Sequence, residues 1–130
     1  MVKILMIDDD QSVLTIFETV LKKEGFQTST AMTGQDGLNK VKTENPDLIL
    51  LDEVLPDISG NDILKTLKGD PQTKATPVAI LSNFGQNELI QEALKSGASD
   101  YILKYQVEPK DLIIKIKEIL ATNKPETQPV

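Results

Sequence analysis

The sequence predicts a doubly wound α/β fold, with five parallel strands in one sheet and helices on both faces, making three layers. Three observations lead there. Short β-like runs alternate with longer helical patterns five times along the 130 residues, and that alternation implies a parallel sheet with right-handed crossovers. Several of the β-like runs, such as Leu48-Ile49-Leu50-Leu51, are apolar throughout, as befits strands covered on both faces. The length is that of a single domain, large enough to bury roughly two-thirds of its unfolded surface without staples.

Taken in order, the first strand is expected at Lys3–Ile7. A helix follows in which Val13, Phe17, Val20 and Leu21 recur at helical spacing, with Gly25 as its stop. The second strand is expected at Phe26–Thr30, then a helix from about Gln35 to Thr43 that ends before Asn45-Pro46. The third strand, Asp47–Leu51, leads to a helix that starts at Ser59 or Gly60 and carries Ile63, Leu64 and Leu67. The fourth strand, Val78–Leu81, precedes a helix with Leu89, Ile90, Ala93 and Leu94, stopped by Gly97. The fifth, Tyr101–Leu103, precedes a last helix with Leu112, Ile116, Ile119 and Leu120, entered through Glu108-Pro109. Residues 1–122 are therefore read as the domain. Residues 123–130 (Asn, Lys, Pro, Glu, Thr, Gln, Pro, Val) are read as a disordered tail or the start of a linker.

Composition narrows the chemistry. There is no Cys, which excludes disulfides and thiolate chemistry and fits a reducing compartment. There is no His, so the commonest general base and metal ligand are absent. The net charge is −6, and every cation is Lys rather than Arg. An acidic surface without Arg forks argues against direct nucleic-acid binding. No apolar run approaches the roughly 20 residues that span a bilayer, and Met1-Val2-Lys3-Ile4 runs straight into the first strand without a signal-peptide pattern. A soluble, cytoplasmic protein is expected.

In open parallel sheets, ligands bind beyond the carboxyl ends of the strands. The first strand ends in Asp8-Asp9-Asp10, the third in Asp52-Glu53, the fourth in Ser82-Asn83 and the fifth in Lys104. Asp8, Asp9 and Asp52 brought together would repel one another without a cation among them, and a site of hard oxygen donors suits Mg²⁺. Asp52 is then placed to act as a carboxylate nucleophile, with Lys104 and Ser82 supplying charge and a hydrogen bond. Simpler roles stand beside these. The paired acids also suit helix capping, for which Asp10 is the preferred candidate. Ser82 also reads as a turn hydroxyl, and Lys104 as a solvated surface side chain.

The runs Ile4–Asp10, Pro46–Asp52 with Pro56 and Gly60 after it, Pro77–Ser82 and Ser96–Lys104, in this order and spacing, resemble the receiver domain of two-component response regulators. The resemblance covers about Lys3 to Leu120 and implies the flavodoxin-like, CheY-like arrangement of the fold. It implies that Asp8 and Asp9 hold Mg²⁺ or Mn²⁺ together with Asp52 and the backbone carbonyl of Val54. It makes Asp52 the phosphoacceptor, Ser82 and Lys104 the groups that meet the phosphoryl oxygens, and Tyr101 an aromatic switch, although Tyr101 also reads as an ordinary half-buried strand residue. The donor it implies is a sensor histidine kinase or phosphotransfer protein. The output is a downstream protein bound through the face of the fourth helix, fifth strand and fifth helix, by a monomer or a phosphorylation-linked dimer. Such a domain is a phosphoacceptor switch rather than an enzyme, assisting only its own phosphorylation and dephosphorylation. A protein-interaction module of the same fold, not controlled by phosphorylation, is the alternative. A flavin carrier is disfavoured, because the first strand ends in acids instead of a Gly-rich phosphate loop. Two departures from the family pattern stand out. Tyr105 follows Lys104 where Pro is usual, so a trans 104–105 peptide bond is expected. Asn83 occupies a position where a small residue is common.

Overall fold

The computed structural model describes residues 1–122; the tail expected at 123–130 lies outside the described residues. Five strands, β1 (Lys3–Ile7), β2 (Gln27–Ala31), β3 (Leu48–Leu51), β4 (Val78–Ser82) and β5 (Asp100–Leu103), alternate with five helices. These are α1 (Gln11–Lys23), α2 (Gly34–Glu44), α3 (Gly60–Lys68), α4 (Asn87–Lys95) and α5 (Pro109–Thr122). All pairings are parallel, and the spatial order is β2-β1-β3-β4-β5. The chain winds from β1 to β2 in one direction and from β3 to β5 in the other. The switch point therefore falls between the carboxyl ends of β1 and β3, where Ile7 pairs with Leu51.

The apolar strands serve both faces because successive side chains alternate. Ile4 and Met6 of β1, and Leu48 and Leu50 of β3, join Leu14, Phe17 and Leu21 of α1 and Leu112, Ile116 and Ile119 of α5 in one core layer. Leu5, Ile7, Ile49 and Leu51 face the other way, onto Val41 of α2, Ile63, Leu64 and Leu67 of α3, and Ala93 of α4. Each fully buried Leu or Ile contributes roughly 1.5–3 kcal/mol of transfer free energy. That covering on both faces holds the strand ends in place.

Helices α1, α2 and α3 begin where short polar side chains meet free backbone N–H groups. Asp10 caps α1, accepting from the amides of Ser12 and Val13. Thr33 caps α2 through the amide of Asp36, and Ser59 caps α3 through that of Asp62. Gly25 and Gly97, just past α1 and α4, have φ of +96° and +108°, which glycine adopts without a Cβ penalty. The second strand begins one residue later than expected, because the Phe26 amide bonds the carbonyl of Leu21 and belongs to the exit of α1. It ends at Ala31 rather than Thr30.

Candidate functional site

The capping question at the first strand end is resolved by geometry. Asp10 caps α1, which frees Asp8 and Asp9 from that duty. Asp8 is buried at 4% exposure and Asp52 at 8%, whereas Asp9 is exposed. One carboxylate oxygen from each of Asp8, Asp9 and Asp52 lies within 4.8 Å of the others. Lys104 reaches in from the end of β5, its Nζ 2.6 Å from Asp8 Oδ2 and 3.1 Å from Asp52 Oδ1. The tighter pair is thus with Asp8. The other oxygen of Asp8 accepts from the amide of Asp10 at 2.9 Å, which locks its carboxylate plane.

Burial sets the electrostatics. It pushes the Asp52 carboxyl above the usual carboxylate range, and the charge of Asp8 pushes the same way; Lys104 offsets part of this. For Lys104, burial acts to lower the pKa, but the hydrogen bond to Asp8 and the charges of Asp52 and Asp8 outweigh it and hold the ammonium above its ordinary value. One cation against three carboxylates leaves negative charge in excess. The donor set is all oxygen, two of its members are buried, and the charge calls for a further cation. The residues present therefore fit a hard divalent ion such as Mg²⁺.

Gly60 fixes the Asp52 backbone. A Cβ at position 60 would overlap the Asp52 carbonyl oxygen and come within 2.8 Å of Glu53 Cα. The Gly60 amide bonds the carbonyl of Glu53 at 2.8 Å, so the start of α3 closes directly onto the end of β3. Burial also raises the Glu53 carboxyl, partly countered by a hydrogen bond from the Asn61 amide.

Ser82 is fully buried at the end of β4. Its Oγ accepts from the amide of Phe84 at 3.0 Å. The Tyr101 hydroxyl donates to the carbonyl of the same Phe84 at 2.7 Å. Ser82 and Tyr101 are thus joined through one residue of the β4–α4 loop, a link the sequence reading missed. The Lys104 amide donates to the Ser82 carbonyl at 2.8 Å, which ties the ends of β4 and β5, whereas the Lys104 ammonium goes to Asp8 and Asp52. Val54 lies two residues beyond Asp52 with its side chain 55% exposed, and Asn83 is exposed. There is no cis peptide bond among the described residues, so the Lys104–Tyr105 bond is trans, as expected.

Residues 4–117 match the family model described as the response regulator receiver domain. The chain belongs to this family. Among curated receiver-bearing relatives, the DNA-binding response regulator MtrA of Mycolicibacterium smegmatis is 34% identical over 124 residues, covering 95% of this chain and 53% of that protein. The chain spans about half the length of the curated relatives it matches. Among solved structures, the CheY-like receiver domain protein of Methanospirillum hungatei JF-1 superposes with a TM-score of 0.88 at 32% identity, covering 95% of this chain and 96% of that one. The BeF3-activated N-terminal receiver domain of Klebsiella pneumoniae RstA gives 0.84 at 30% identity, covering 91% and 97%. As a receiver, the chain is a phosphoacceptor switch of two-component signalling, in a family that generally binds Mg²⁺ at an Asp cluster and interacts with histidine kinases. Among the described residues, no helix is long and apolar enough to cross a membrane.

Proposed function

We propose that Asp52 is the phosphoacceptor, that Asp8, Asp9, Asp52 and the Val54 carbonyl hold the divalent cation, and that Ser82, Tyr101 and Lys104 read the phosphorylated state. The observation that carries this is the convergence of three carboxylates within 4.8 Å of one another, two of them paired with the Lys104 ammonium. When bound, Mg²⁺ or Mn²⁺ supplies charge neutralisation at the transferring phosphoryl oxygens. Asp52 offers a carboxylate oxygen to the phosphorus of a phosphohistidine on a kinase or phosphotransfer protein. A P–O bond forms, the P–N bond breaks, and its electron pair leaves with the donor imidazole. Lys104, already beside Asp52 Oδ1, turns to a phosphoryl oxygen. Ser82, whose Oγ accepts from the Phe84 amide, donates its hydroxyl hydrogen to a phosphoryl oxygen. That new bond draws the β4–α4 loop inward and releases Tyr101 from the Phe84 carbonyl, a shift between two packings.

The output surface is the face of α4, β5 and α5, with a downstream protein as its partner. Supporting it is a groove of about 490 Å³ there, lined among others by Ile90, Tyr101, Leu103, Val107 and Ile114. Residues 1–122 form the receiver, acting in the cytoplasm, and the domain assists only its own phosphorylation and dephosphorylation. The test is to incubate the protein with Mg²⁺ and acetyl phosphate and weigh it intact. Wild type gains one phosphoryl group and Asp52→Asn gains none. An unmodified wild type, under conditions that modify another receiver, overturns the assignment.

A further inference from the structure

Residues 52–59 leave the end of β3 beside the acidic cluster and return as the start of α3. Two attachments of this turn are local. Leu55 is buried in the core layer under α3, and the Glu53 carbonyl is held by the Gly60 amide. The third attachment reaches another helix. Asp57 Oδ1 accepts from the Gly34 amide at 2.8 Å, and its Oδ2 accepts from the Gln35 amide at 2.9 Å. Oδ1 also accepts from the Ile58 amide at 3.0 Å. The amides of Gln35 and Gly34 hold the Asp57 carboxyl below the usual carboxylate range.

Two facts show that this contact is more than a helix cap. First, α2 already has its own cap in Thr33, which satisfies the Asp36 amide at 3.1 Å. Second, position 34 is shaped to admit the turn. A Cβ there would lie 2.8 Å from Ile63 Cδ1, 3.1 Å from Ile58 Cβ and 3.2 Å from Asp57 Oδ1. A side chain at position 34 would therefore press on Ile63, Ile58 and Asp57 at this contact. What the clamp serves is the stretch between Asp52 and Asp57, where Val54 has an exposed side chain and so cannot anchor its own backbone by burial.

We propose that Asp57 is a positioning residue. By clamping the β3–α3 turn to the start of α2, it fixes the backbone that carries the Val54 carbonyl beside Asp8, Asp9 and Asp52, and thereby sets the affinity for the divalent cation. The inference rests on the metal-site reading given above. It ties α2, which contributes no side chain to the acidic cluster, to the metal affinity of the site.

The experiment compares wild type with Asp57→Ala, Asp57→Asn and Thr33→Ala. Asp57 is exposed, so its replacements leave the core intact. Thr33→Ala removes the other cap of α2 and leaves the turn clamped. Two quantities are measured: the Mg²⁺ dissociation constant by calorimetry, and hydrogen exchange across residues 53–59 in metal-free protein. Asp57→Ala is expected to weaken Mg²⁺ binding about tenfold, the scale of losing an outer-shell support for a metal ligand, and to speed exchange across 53–59. Asp57→Asn, which keeps one acceptor oxygen, falls between wild type and Asp57→Ala. Thr33→Ala leaves both quantities at wild-type values. An Asp57→Ala affinity within twofold of wild type overturns the proposal, and so does an equal loss in Thr33→Ala, which marks a general loosening of α2. If wild type itself binds no Mg²⁺, the metal-site reading fails and takes the affinity claim with it. The exchange comparison then decides the clamp alone, and unchanged protection of 53–59 in Asp57→Ala overturns that too.

Discussion

Replacing Lys104 by Met tests the electrostatics of the site most directly. The side chains of Lys104, Asp8 and Asp52 are 9%, 5% and 10% exposed, and Nζ contacts both carboxylates. Methionine fills a similar space but leaves two buried acids facing each other with no cation. Breaking a buried pair by removing one partner costs about 3–5 kcal/mol, and the low end applies here because Asp9 keeps one side of the cluster open to water. Unfolding entropy near 2.1 cal/mol/K per residue makes about 3 kcal/mol equal to a drop in Tm of roughly 11 °C for a chain of this length. The loss is expected in EDTA and is largely recovered in Mg²⁺, since ligand at about a hundred times its Kd returns about 2.7 kcal/mol. Mg²⁺ should therefore stabilise Lys104→Met more than wild type. Urea unfolding followed by far-ultraviolet circular dichroism, with and without Mg²⁺, measures both effects. Lys3→Met is the control, because it removes only the partly exposed pair with Glu44 and should cost about 1 kcal/mol or less. A loss in Lys104→Met no larger than that control, or one that Mg²⁺ leaves untouched, refutes the reasoning.

Gly60→Ala drives a methyl group into the backbone of Asp52 and Glu53; it should cost about 1–3 kcal/mol in urea unfolding and slow phosphorylation by acetyl phosphate by about tenfold or more, because Asp52 is displaced. Thr73, buried in the α3–β4 connection, donates its hydroxyl to the Leu67 carbonyl at 2.7 Å. Thr73→Val should therefore cost about 1–2 kcal/mol of stability with the phosphorylation rate unchanged. The raised pKa of Asp52 in metal-free protein means the native state binds that proton more tightly than the unfolded chain does. Its ionised form therefore lowers stability at neutral pH, and the penalty is relieved as pH falls through the folded pKa. Asp52→Asn in EDTA should raise the urea midpoint at neutral pH, with the gain shrinking on acidification; a gain that grows toward acid pH has the wrong sign.

The strands with continuous apolar sequence were the most legible. Ile4–Ile7 and Leu48–Leu51 are buried throughout, and no amphipathic helix of this length would present such runs. Boundaries failed where a backbone bond outranks composition. Phe26 has strong β character, yet its amide closes the exit of α1. Asp47, expected in the third strand, lies just before β3, although its amide bonds the Lys3 carbonyl. In the site, acids at strand ends were legible because the parallel-sheet rule says where to look. The Asp8–Lys104 pair, the Phe84 bridge between Ser82 and Tyr101, and the Asp57 clamp were not. The last two depend on loop backbone atoms, and the first on a side chain reaching past two intervening strands. Periodicity carries no information about either. For Asp57 the one available signal was an acid following Pro56 in a turn, which is too common to choose among acids.

The chain has two tyrosines and no tryptophan. Tyr101 donates its hydroxyl to the Phe84 carbonyl. A Cβ on Gly85 would stand 3.5 Å from the hydroxyl oxygen of Tyr105. Both phenols therefore border the same short loop between β4 and α4. The near-ultraviolet absorption and emission of the whole protein arise almost entirely at that corner. The molecule carries its own optical reporter there, with no label to attach and only the weak absorption of Phe17 and Phe26 from the rest of the fold.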